Sequence, residues 1–427
     1  MKDIELLLRD VPLPLFAKAR QILDPEEIGE ENIAAAVSAS LEESGLLVNL
    51  RPGASIGITA GSRGIHGIDR VLRQVAAQVR SHGAQPVIVP CMGSHGGNAQ
   101  GQMEILAHLG ITEQNMDAPI ISEATLTAVG SGPDGTPVYV DSFLAGCDGI
   151  IVVNRIKAHT AFRAPVESGL LKMMAVGMGK QKGADTCHQH GFEGMHERVV
   201  QTARVILDNC PILLGLGLIE NAYGRLCEIV TLSADDIPQR EPELLMRAKQ
   251  LMPRLFFENL DVLVVCEMGK DISGSGMDTN VIGRYPTPYM QGEIHIHSIC
   301  VLDLTDNSFG SAHGVGFADF TTERLYGKFD RNNTYINGLT NKVCAPAKLP
   351  LIMPDDRTAI RAAIRVCPNP NPEDIRAVII KNTHNIETIY LSPALLRTAE
   401  RNDRFQILAL PRKLTFDANG SMEYLWD

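Results

Sequence analysis

Five residues of types that often take part in catalysis lie in glycine-rich or polar stretches of this 427-residue chain: Arg63, His95, His159, Lys172 and His188. The histidine side chain changes protonation near neutral pH, so it suits the transfer of protons to and from a substrate. Arginine presents a planar fork of donors that fits a carboxylate or a phosphate. These residue types together indicate acid–base chemistry on a small anionic molecule.

Two of these residues follow short apolar segments and are flanked by glycines. Arg63 stands in GSRGIHG, where Gly61 and Gly64 leave the main chain open to close approach by a ligand. His95 stands in GSHGG, with little apolar sequence around it that could form a core. We therefore expect Arg63 to bind an anionic group and His95 to act as a general acid or base.

The polar segment 154–172 follows an apolar run and predicts a long functional loop. Its polar and charged residues include Asn154, Arg155, Lys157, His159, Arg163, Glu167 and Lys172. His159 is predicted to be a second acid–base group, opposite His95 across a substrate. Arg155 and Lys157 could equally well be ordinary surface residues whose charges are solvated.

A second run of basic residues and histidines comes next. Lys180 and Lys182 are bracketed by glycines and could hold an anion, but the P-loop pattern of nucleotide-binding proteins is missing. Three histidines follow: His188, His190 and His196. Without a partnered carboxylate their spacing is weak support for a zinc site.

Two further pairs of polar residues occur in the second half of the chain. Glu267 and Lys270, in CEMGKD, stand at the end of an apolar run, where they are either part of a cleft or a surface ion pair. His295 and His297 alternate in EIHIHS, so on a strand they share one face. With no third ligand close by in sequence, we interpret these two histidines as structural.

The elements that position these residues alternate between strands and helices. Predicted strands cover 54–60, 86–90, 137–140, 149–154, 212–219, 261–269, 299–304 and 377–380, and predicted helices cover 31–46, 67–82, 100–110, 194–208, 241–251, 323–335, 356–366 and 393–400. This alternation predicts an α/β fold with mainly parallel sheets flanked by helices. Ligands bind beyond the carboxyl ends of such strands, so the loops with Arg63, His95, His159 and Lys270 are expected at one edge of a sheet.

The length predicts two domains, which we place at 1–255 and 256–427, with the active site in the cleft between them and the second domain closing over it. Composition indicates a folded protein, with 44% hydrophobic and 21% charged residues. A net charge of −11 argues against nucleic acid and anionic membranes as partners. Neither a signal peptide nor a membrane-spanning segment is expected. Nine scattered cysteines favour reduced thiols in the cytoplasm.

Taken together, these segments resemble the nickel-dependent lactate racemase family. The resemblance rests on Arg63 in the first glycine-rich loop, His95 in GSHGG, His159 in KAHT, Lys172 in SGLLK, His188 sixteen residues later, and Lys270 in EMGK. It extends over most of the chain in length and loop order. The resemblance implies two α/β domains and an enzyme that inverts the configuration of 2-hydroxy acids.

The resemblance also implies a cofactor and a role for each residue. Lys172 would be joined covalently to a nickel-pincer nucleotide, which dedicated cofactor-synthesis enzymes supply, and His188 would coordinate the nickel. His95 and His159 would be the acid–base pair, one for each face of the substrate. Arg63 and Lys270 would bind the substrate carboxylate. A hydride would pass from the α-carbon to the cofactor and return to the opposite face of the keto acid.

Two departures from the family pattern affect these expectations. Family members carry a glycine pair directly before the lysine, whereas this chain has SGLL before Lys172, so a tether at Lys180 or Lys182 stays open. Glu267 stands where lactate racemases place a neutral polar residue. A carboxylate there disfavours a second acid group and accepts hydrogen bonds from hydroxyls, so we expect a substrate larger or more hydroxylated than lactate.

Two alternatives remain open from the sequence. The same scaffold could act as a lyase or hydrolase of a hydroxy acid without the pincer cofactor, which the missing glycine pair favours. It could also be a non-catalytic binding protein for a nucleotide or a sugar acid. The sequence leaves the substrate and the oligomeric state undetermined.

Overall fold

The structure, a computed structural model, describes residues 2–62, 64–93, 95–123, 125–189, 191–340, 342–368 and 370–426. The chain divides into two compact units, one formed by residues 25–252 and the other by residues 1–24 together with 253–427. Both are layers of helices on mostly parallel sheets. The predicted α/β fold class is thus confirmed.

The strands occur along the whole chain and alternate with helices as predicted. They are β1 Ala17–Gln21, β2 Ser55–Ala60, β3 Gln85–Pro90, β4 Leu126–Ser131, β5 Pro137–Asp141, β6 Gly149–Arg155, β7 Ile212–Glu220, β8 Leu226–Ser233, β9 Asn259–Val265, β10 His295–Val301, β11 Phe320–Thr322, β12 Leu351–Met353, β13 Ala377–Ile380, β14 Thr388–Leu391 and β15 Phe405–Ile407. Their most buried members are apolar because helices cover both faces of the parallel strands.

The helices vary from single turns to four turns. They are α1 Lys2–Leu8, α2 Ile33–Ser44, α3 Ile68–Ser81, α4 Ala99–His108, α5 Glu113–Met116, α6 Ser142–Ala145, α7 Leu170–Lys172, α8 Lys180–His188, α9 Met195–Asn209, α10 Ile237–Leu251, α11 Thr279–Ile282, α12 Glu323–Lys328, α13 Arg331–Thr340, α14 Asp356–Arg365 and α15 Pro393–Ala399. A π-helix, Met173–Met178, follows α7, and short 3₁₀ turns occur at Glu30–Asn32, Asp306–Ser308, Val315–Phe317 and Ala345–Ala347. Among the described residues no helix is long and apolar enough to cross a membrane.

In the unit of residues 25–252 the main sheet has the order β3-β2-β6-β7-β8. The first four strands run parallel, and β8 returns antiparallel to β7. Two apolar cores lie on opposite faces of this sheet: Ile151 and Leu216 belong to one, and Val152 and Leu170 to the other. The carboxyl ends of β2, β3 and β6 are therefore neighbours at one edge.

In the other unit the sheet has the order β12-β11-β10-β9-β13-β14-β1-β15. The strands from β12 to β13 are parallel, and the remaining three are antiparallel to their neighbours. The loop with Lys270 follows β9 of this sheet. The expectation that it shares one edge with the other three loops was wrong, because β9 belongs to a different sheet from β2, β3 and β6.

The first 24 residues group with the C-terminal unit. The sequence analysis placed them in a domain covering 1–255, because an N-terminal segment is most simply assigned to the elements that follow it. In the structure β1 lies between β14 and β15 and completes their sheet. The chain passes between the units at residues 24–25 and 252–253.

Two predicted elements differ in detail from the structure. The polar segment after β6 does not stay irregular up to Lys172, because the apolar run from Leu170 packs as helix against the core. Lys172 and His188 therefore lie on helices and not in loops. The predicted helix 323–335 is two helices, since Phe329 is extended and Asp330 caps the second one through Asn333.

Candidate functional site

The loop after β3 holds His95 in a turn that only glycine can form. Gly93, Gly96 and Gly97 have φ of 59°, 82° and 67°, in the left-handed region. A Cβ at Gly96 would lie 2.8 Å from the main-chain nitrogen of Gln102. Residues 95–97 thus form a tight turn over the start of α4, with the His95 side chain exposed.

The end of β2 supplies the partner of the His95 ring. The hydroxyl of Ser62 lies 2.6 Å from His95 Nδ1. Arg63, the predicted anion-binding residue, lies outside the described residues. Sequence reasoning missed Ser62, and the only signal was its place beside Arg63 at the end of a strand that neighbours β3 in a parallel sheet.

His159 lies in a turn held by the buried carboxylate of Glu167. The main-chain N–H of His159 donates to Glu167 Oε2 at 2.7 Å, and that of Ala164 donates to Oε1 at 3.2 Å. Lys249 of α10 and Arg163 neutralise the charge, at 2.6 and 3.3 Å. A buried carboxylate with this many donors is satisfied, so the turn has one well-defined conformation.

The His159 ring packs against aromatic side chains and accepts a hydrogen bond. The Ala161 N–H donates to Nδ1 at 3.1 Å. The ring centroid lies 4.5 Å from that of Phe162 and 5.8 Å from that of Phe192. Burial, followed by the positive charges of Lys172, Lys157, His188 and Arg163, lowers the pKa of His159 well below its ordinary value. His159 is therefore neutral at neutral pH.

His188 ends α8 and faces the same aromatic ring as His159. Its ring lies edge-on to Phe192 at 5.8 Å between centroids. Arg198 fixes the turn after α8 by donating to the main-chain oxygens of Cys187 and Gly191 at 3.0 and 2.8 Å. Phe192 therefore joins His159 and His188 into one cluster, which the charge of Lys172 also reaches.

Lys172 is half-buried at the end of α7, whose start is held by two side chains. Asn154 donates to the Gly169 oxygen at 2.7 Å, and Glu241 accepts from the Leu171 N–H at 2.9 Å. A Cβ at Gly169 would lie 2.3 Å from Glu241 Oε1, so a side chain there would displace this carboxylate. Burial raises the pKa of Glu241 to about 7, although main-chain donors at Leu171 and Leu170 lower it.

The π-helix that follows Lys172 contacts the loops that carry Ser62 and His95. A Cβ at Gly93 would lie 3.2 Å from Val176 Cγ1, and one at Gly61 would lie 3.3 Å from the Met173 methyl carbon. Such π-turns concentrate at functional sites, because the wider helix displaces side chains from their regular positions. The loops that carry Ser62 and His95 and the helix that carries Lys172 thus meet around one segment.

The other two lysines considered as tethers have different partners. Lys180 is 7% exposed, and its Nζ lies 3.0 Å from Asp141 Oδ2 and 3.2 Å from Gln102 Oε1. Lys182 is exposed, and its Nζ lies 3.7 Å from the centre of the Tyr139 ring. A buried ion pair is costly to break, so Lys180 links α8 to its neighbours.

Among the described residues no group of three or more His, Cys, Asp or Glu side chains could hold a metal ion. His196 bonds to the Val166 oxygen through Nδ1 at 3.2 Å, and His190 lies outside the described residues. His297 bonds to the Val366 oxygen, in agreement with its structural interpretation.

In the C-terminal unit, Glu267 and Lys270 follow β9. Glu267 accepts a hydrogen bond from Asn382 at 2.8 Å, and Lys270 donates to Asn337. His313, which sequence reasoning missed, is buried, and among the described residues its Nδ1 has no hydrogen-bond partner. Burial and the charge of Lys270 lower the pKa of His313 to about 4. Its signal was a glycine-flanked histidine, GSAHGVG, similar to the GSHGG of His95.

Comparison with known proteins gives a family for the first part of the chain. Residues 6–197 match the family model of the lactate racemase N-terminal domain. This part of the chain is similar to that domain, so the resemblance stated from the sequence is confirmed. The match supports an isomerase of the racemase or epimerase type in general.

Solved structures give the fold. The lactate racemase apoprotein from Thermoanaerobacterium thermosaccharolyticum aligns over 84% of this chain and 93% of its own, with a TM-score of 0.53 and 9% identity. A protein from Thermotoga maritima aligns over 66% of this chain and 72% of its own, with a TM-score of 0.46 and 12% identity. No curated protein sequence matches the chain.

Proposed function

We propose that this protein is a racemase or epimerase of a 2-hydroxy acid. The observation that carries the proposal is the cluster around Phe192, where His159 and His188 pack against one ring and the charge of Lys172 acts on His159. His95 lies in the loop after β3, and β3 belongs to the same sheet as β6, the strand that precedes His159. Imidazoles for proton transfer beside a primary amine are the groups that a tethered-cofactor racemase needs.

The cofactor we propose is a nickel-pincer nucleotide, as the family resemblance implies. The side chains present fit it, since the charge of the Lys172 amine acts on His159 in the same cluster in which the His188 imidazole packs against Phe192. Lys172 would hold the cofactor through its amine and His188 would coordinate the metal. The chemistry that such a cofactor would supply when bound is the reversible uptake of the substrate's α-hydrogen together with its bonding electrons.

The histidines of the chain would act on the hydroxyl group of the substrate. That hydroxyl must lose its proton as the α-hydrogen leaves, and an imidazole is the group suited to this at neutral pH. His159 is neutral there, so it can hydrogen-bond the hydroxyl or the keto oxygen. The rings of Phe162 and Phe192 exclude water from the His159 side of the site.

The substrate is proposed to be larger or more hydroxylated than lactate. Arg63 and Lys270 would bind its carboxylate, as the resemblance implies. A carboxylate accepts several hydrogen bonds, so Glu267, already bonded to Asn382, keeps capacity for a substrate hydroxyl. A second acid group on the substrate would be repelled there.

Intact-protein mass spectrometry with nickel analysis tests the tether. The protein is co-expressed with cofactor-synthesis enzymes, and we expect a covalent adduct of nucleotide size with one bound nickel. Lys172→Ala should lose both, because the amine that forms the bond is gone.

Lys182→Ala is the matched control, since that exposed lysine packs on Tyr139 and should leave the adduct intact. An adduct that persists in Lys172→Ala would place the tether elsewhere. An unmodified mass, with a known lactate racemase loaded in parallel, would refute the pincer mechanism. Turnover of a hydroxy acid by such unmodified protein would favour the lyase or hydrolase, which the SGLL segment before Lys172 also favours.

A further inference from the structure

The side chain of Gln102 lies between the turn of residues 95–97 and a buried ion pair. Its amide nitrogen Nε2 donates to the main-chain oxygen of His95 at 3.3 Å, and its amide oxygen Oε1 accepts from Lys180 Nζ at 3.2 Å. Lys180 Nζ also lies 3.0 Å from Asp141 Oδ2. Gln102, Lys180 and Asp141 are all buried, so these contacts are largely shielded from water. A series of polar contacts therefore joins the main chain of His95 to the start of α8 and the end of β5.

Lys180 determines which way the Gln102 amide points. An ammonium group has donors only, so the amide oxygen must face Lys180, and the amide nitrogen then faces the main-chain oxygen of His95. The opposite orientation would place two donors against each other at Lys180 and two acceptors against each other at His95. The ion pair thus selects the orientation in which Gln102 can donate to His95.

The two members of the ion pair are themselves held in place. The backbone φ of Lys180 is 48°, in the left-handed region that residues with a long side chain rarely adopt. Such a conformation persists only where the surrounding structure maintains it, and residues of this kind cluster at functional sites. Asp141 is fixed through its other oxygen, which accepts from the N–H groups of Phe143 and Leu144 at 2.9 and 3.3 Å. The pair is therefore a firm support for Gln102.

The turn of residues 95–97 lies directly on the first turn of α4. A Cβ at Gly101 would lie 2.1 Å from the Gly96 oxygen, and this close approach brings Gln102 within reach of His95. Asn98 caps α4 by accepting from the Gly101 N–H at 2.9 Å, but that bond acts on the residue after the turn. The bond from Gln102 acts on the His95 peptide itself.

We propose that Gln102 is a positioning residue for His95 and that the buried ion pair of Lys180 and Asp141 orients its amide. The inference rests on the racemase or epimerase function proposed above. In that function His95 must keep its place at the substrate, and a turn built on glycines has more conformational freedom than other sequences. Because α8 begins at Lys180 and ends at His188, the same contacts link the positions of two candidate site residues.

NMR of the His95 carbonyl carbon tests the inference without any turnover. Protein labelled with ¹³C at histidine carbonyls and with ¹⁵N at glycines gives HNCO signals only where a glycine follows a histidine. The chain has five such pairs: His66–Gly67, His82–Gly83, His95–Gly96, His190–Gly191 and His313–Gly314.

Gln102→Met removes both polar atoms of the amide at nearly constant volume. We expect its His95–Gly96 signal to move to higher field in the carbon dimension, because a carbonyl carbon becomes more shielded when its oxygen loses a hydrogen bond. The other four signals are internal controls. A His95–Gly96 signal at the wild-type position in Gln102→Met would overturn the proposal.

Two glutamate variants separate the contact with His95 from the contact with Lys180. Gln102→Glu in its ionised form keeps an acceptor for Lys180 but offers His95 no donor, so it should move the signal in the same direction, and it carries the test if Gln102→Met does not fold. Gln100 is exposed on the same helix, where its amide bonds to Glu104. Gln100→Glu is the matched control and should leave the signal in place. An equal displacement there would show that any charge on α4 moves the signal, which would contradict the proposal.

Kinetics of the cofactor-loaded protein, with D-gluconate and lactate as probes, give a second readout. We expect Gln102→Met to lower kcat by ~5-fold or more, about the effect of one lost hydrogen bond, with little change in KM and with the nickel content of the wild type. A raised KM with unchanged kcat would assign Gln102 to substrate binding and contradict the positioning role. If the wild type turns over neither probe, the proposed function fails, and the carbonyl signal still decides the inference.

Discussion

At the scale of single residues, the chemistry depends on groups that hold the candidate side chains. Ser62 contacts His95, Glu167 fixes the turn of His159, and Phe192 joins His159 to His188. None of these three was given a catalytic role in the sequence analysis. Their function comes from the neighbour that the fold gives them.

The charge of Lys172 is expected to control the protonation of His159. Burial is the larger cause of the lowered pKa and Lys172 is the next, so Lys172→Met should raise the pKa of His159 without reaching the ordinary value. Proton NMR titration of the histidine C2–H signals, assigned with His159→Gln, measures this.

Lys182→Met serves as the control, since Lys182 is not a cause of the shift. An unchanged His159 pKa in Lys172→Met would contradict the electrostatic link. Conversion of the Lys172 amine to an amide should act in the same direction as the substitution, because it also removes the positive charge.

At the scale of elements, α7 is a three-residue helix whose start is held by a carboxylate of α10. Glu241 accepts from Leu171, and its pKa is raised to about 7 by burial. A carboxyl with a raised folded-state pKa binds its proton more tightly in the folded protein than in the unfolded chain. Its contribution to stability is therefore complete below about pH 4.5 and decreases as the pH rises toward 7.

Glu241→Gln should remove the loss of folding stability that the wild type undergoes as the pH rises toward 7. Gln keeps an oxygen for the Leu171 N–H but cannot ionise, so at pH 8 the variant should be more stable than the wild type by roughly 1–3 kcal/mol, and at pH 4.5 about equal. Denaturant unfolding at the two pH values measures the difference.

The exposed Glu243 of the same helix is the matched control, and Glu243→Gln should show little change at either pH. Equal stability of Glu241→Gln and wild type at pH 8 would mean that the main-chain donors already offset the burial of the carboxylate.

At the scale of the whole molecule, the chain forms two units. It begins in the C-terminal unit, continues through the unit of residues 25–252, and returns to the C-terminal unit at residue 253. Strand β1 lies inside the C-terminal sheet, and Ala19 in its centre is fully buried. The stability of that sheet therefore depends on residues more than 350 positions away in sequence. Such long-range pairing is slow to form because the chain between must close first.

Ala19→Glu should destabilise the C-terminal unit selectively. A buried unpaired carboxylate costs several kcal/mol, and β1 contacts β14 and β15. Hydrogen exchange read by mass spectrometry should show lost protection in β13, β14 and β15, with peptides from residues 25–252 unchanged.

Ile22→Glu is the control, because Ile22 lies just after β1 and is 45% exposed. Loss of protection across both units in Ala19→Glu would show that they unfold as one cooperative body.

The sequence by itself determined the class of fold and most of its elements. Alternation of apolar strands with amphipathic helices such as Ile68–Ser81 is a local pattern, so it can be recognised without the tertiary structure. The turn around His95 could be recognised for the same reason, because its glycines adopt left-handed φ values that other residues rarely adopt.

Only the tertiary structure decided which residues are neighbours. It placed β1 with β14, put Lys270 on a different sheet from His95, and paired Lys180 with Asp141. It also placed the Ser62 hydroxyl 2.6 Å from His95 Nδ1 and the Ala161 main-chain nitrogen 3.1 Å from His159 Nδ1. These contacts join segments distant in sequence or depend on single hydrogen bonds, and neither leaves a periodic trace in the amino-acid sequence.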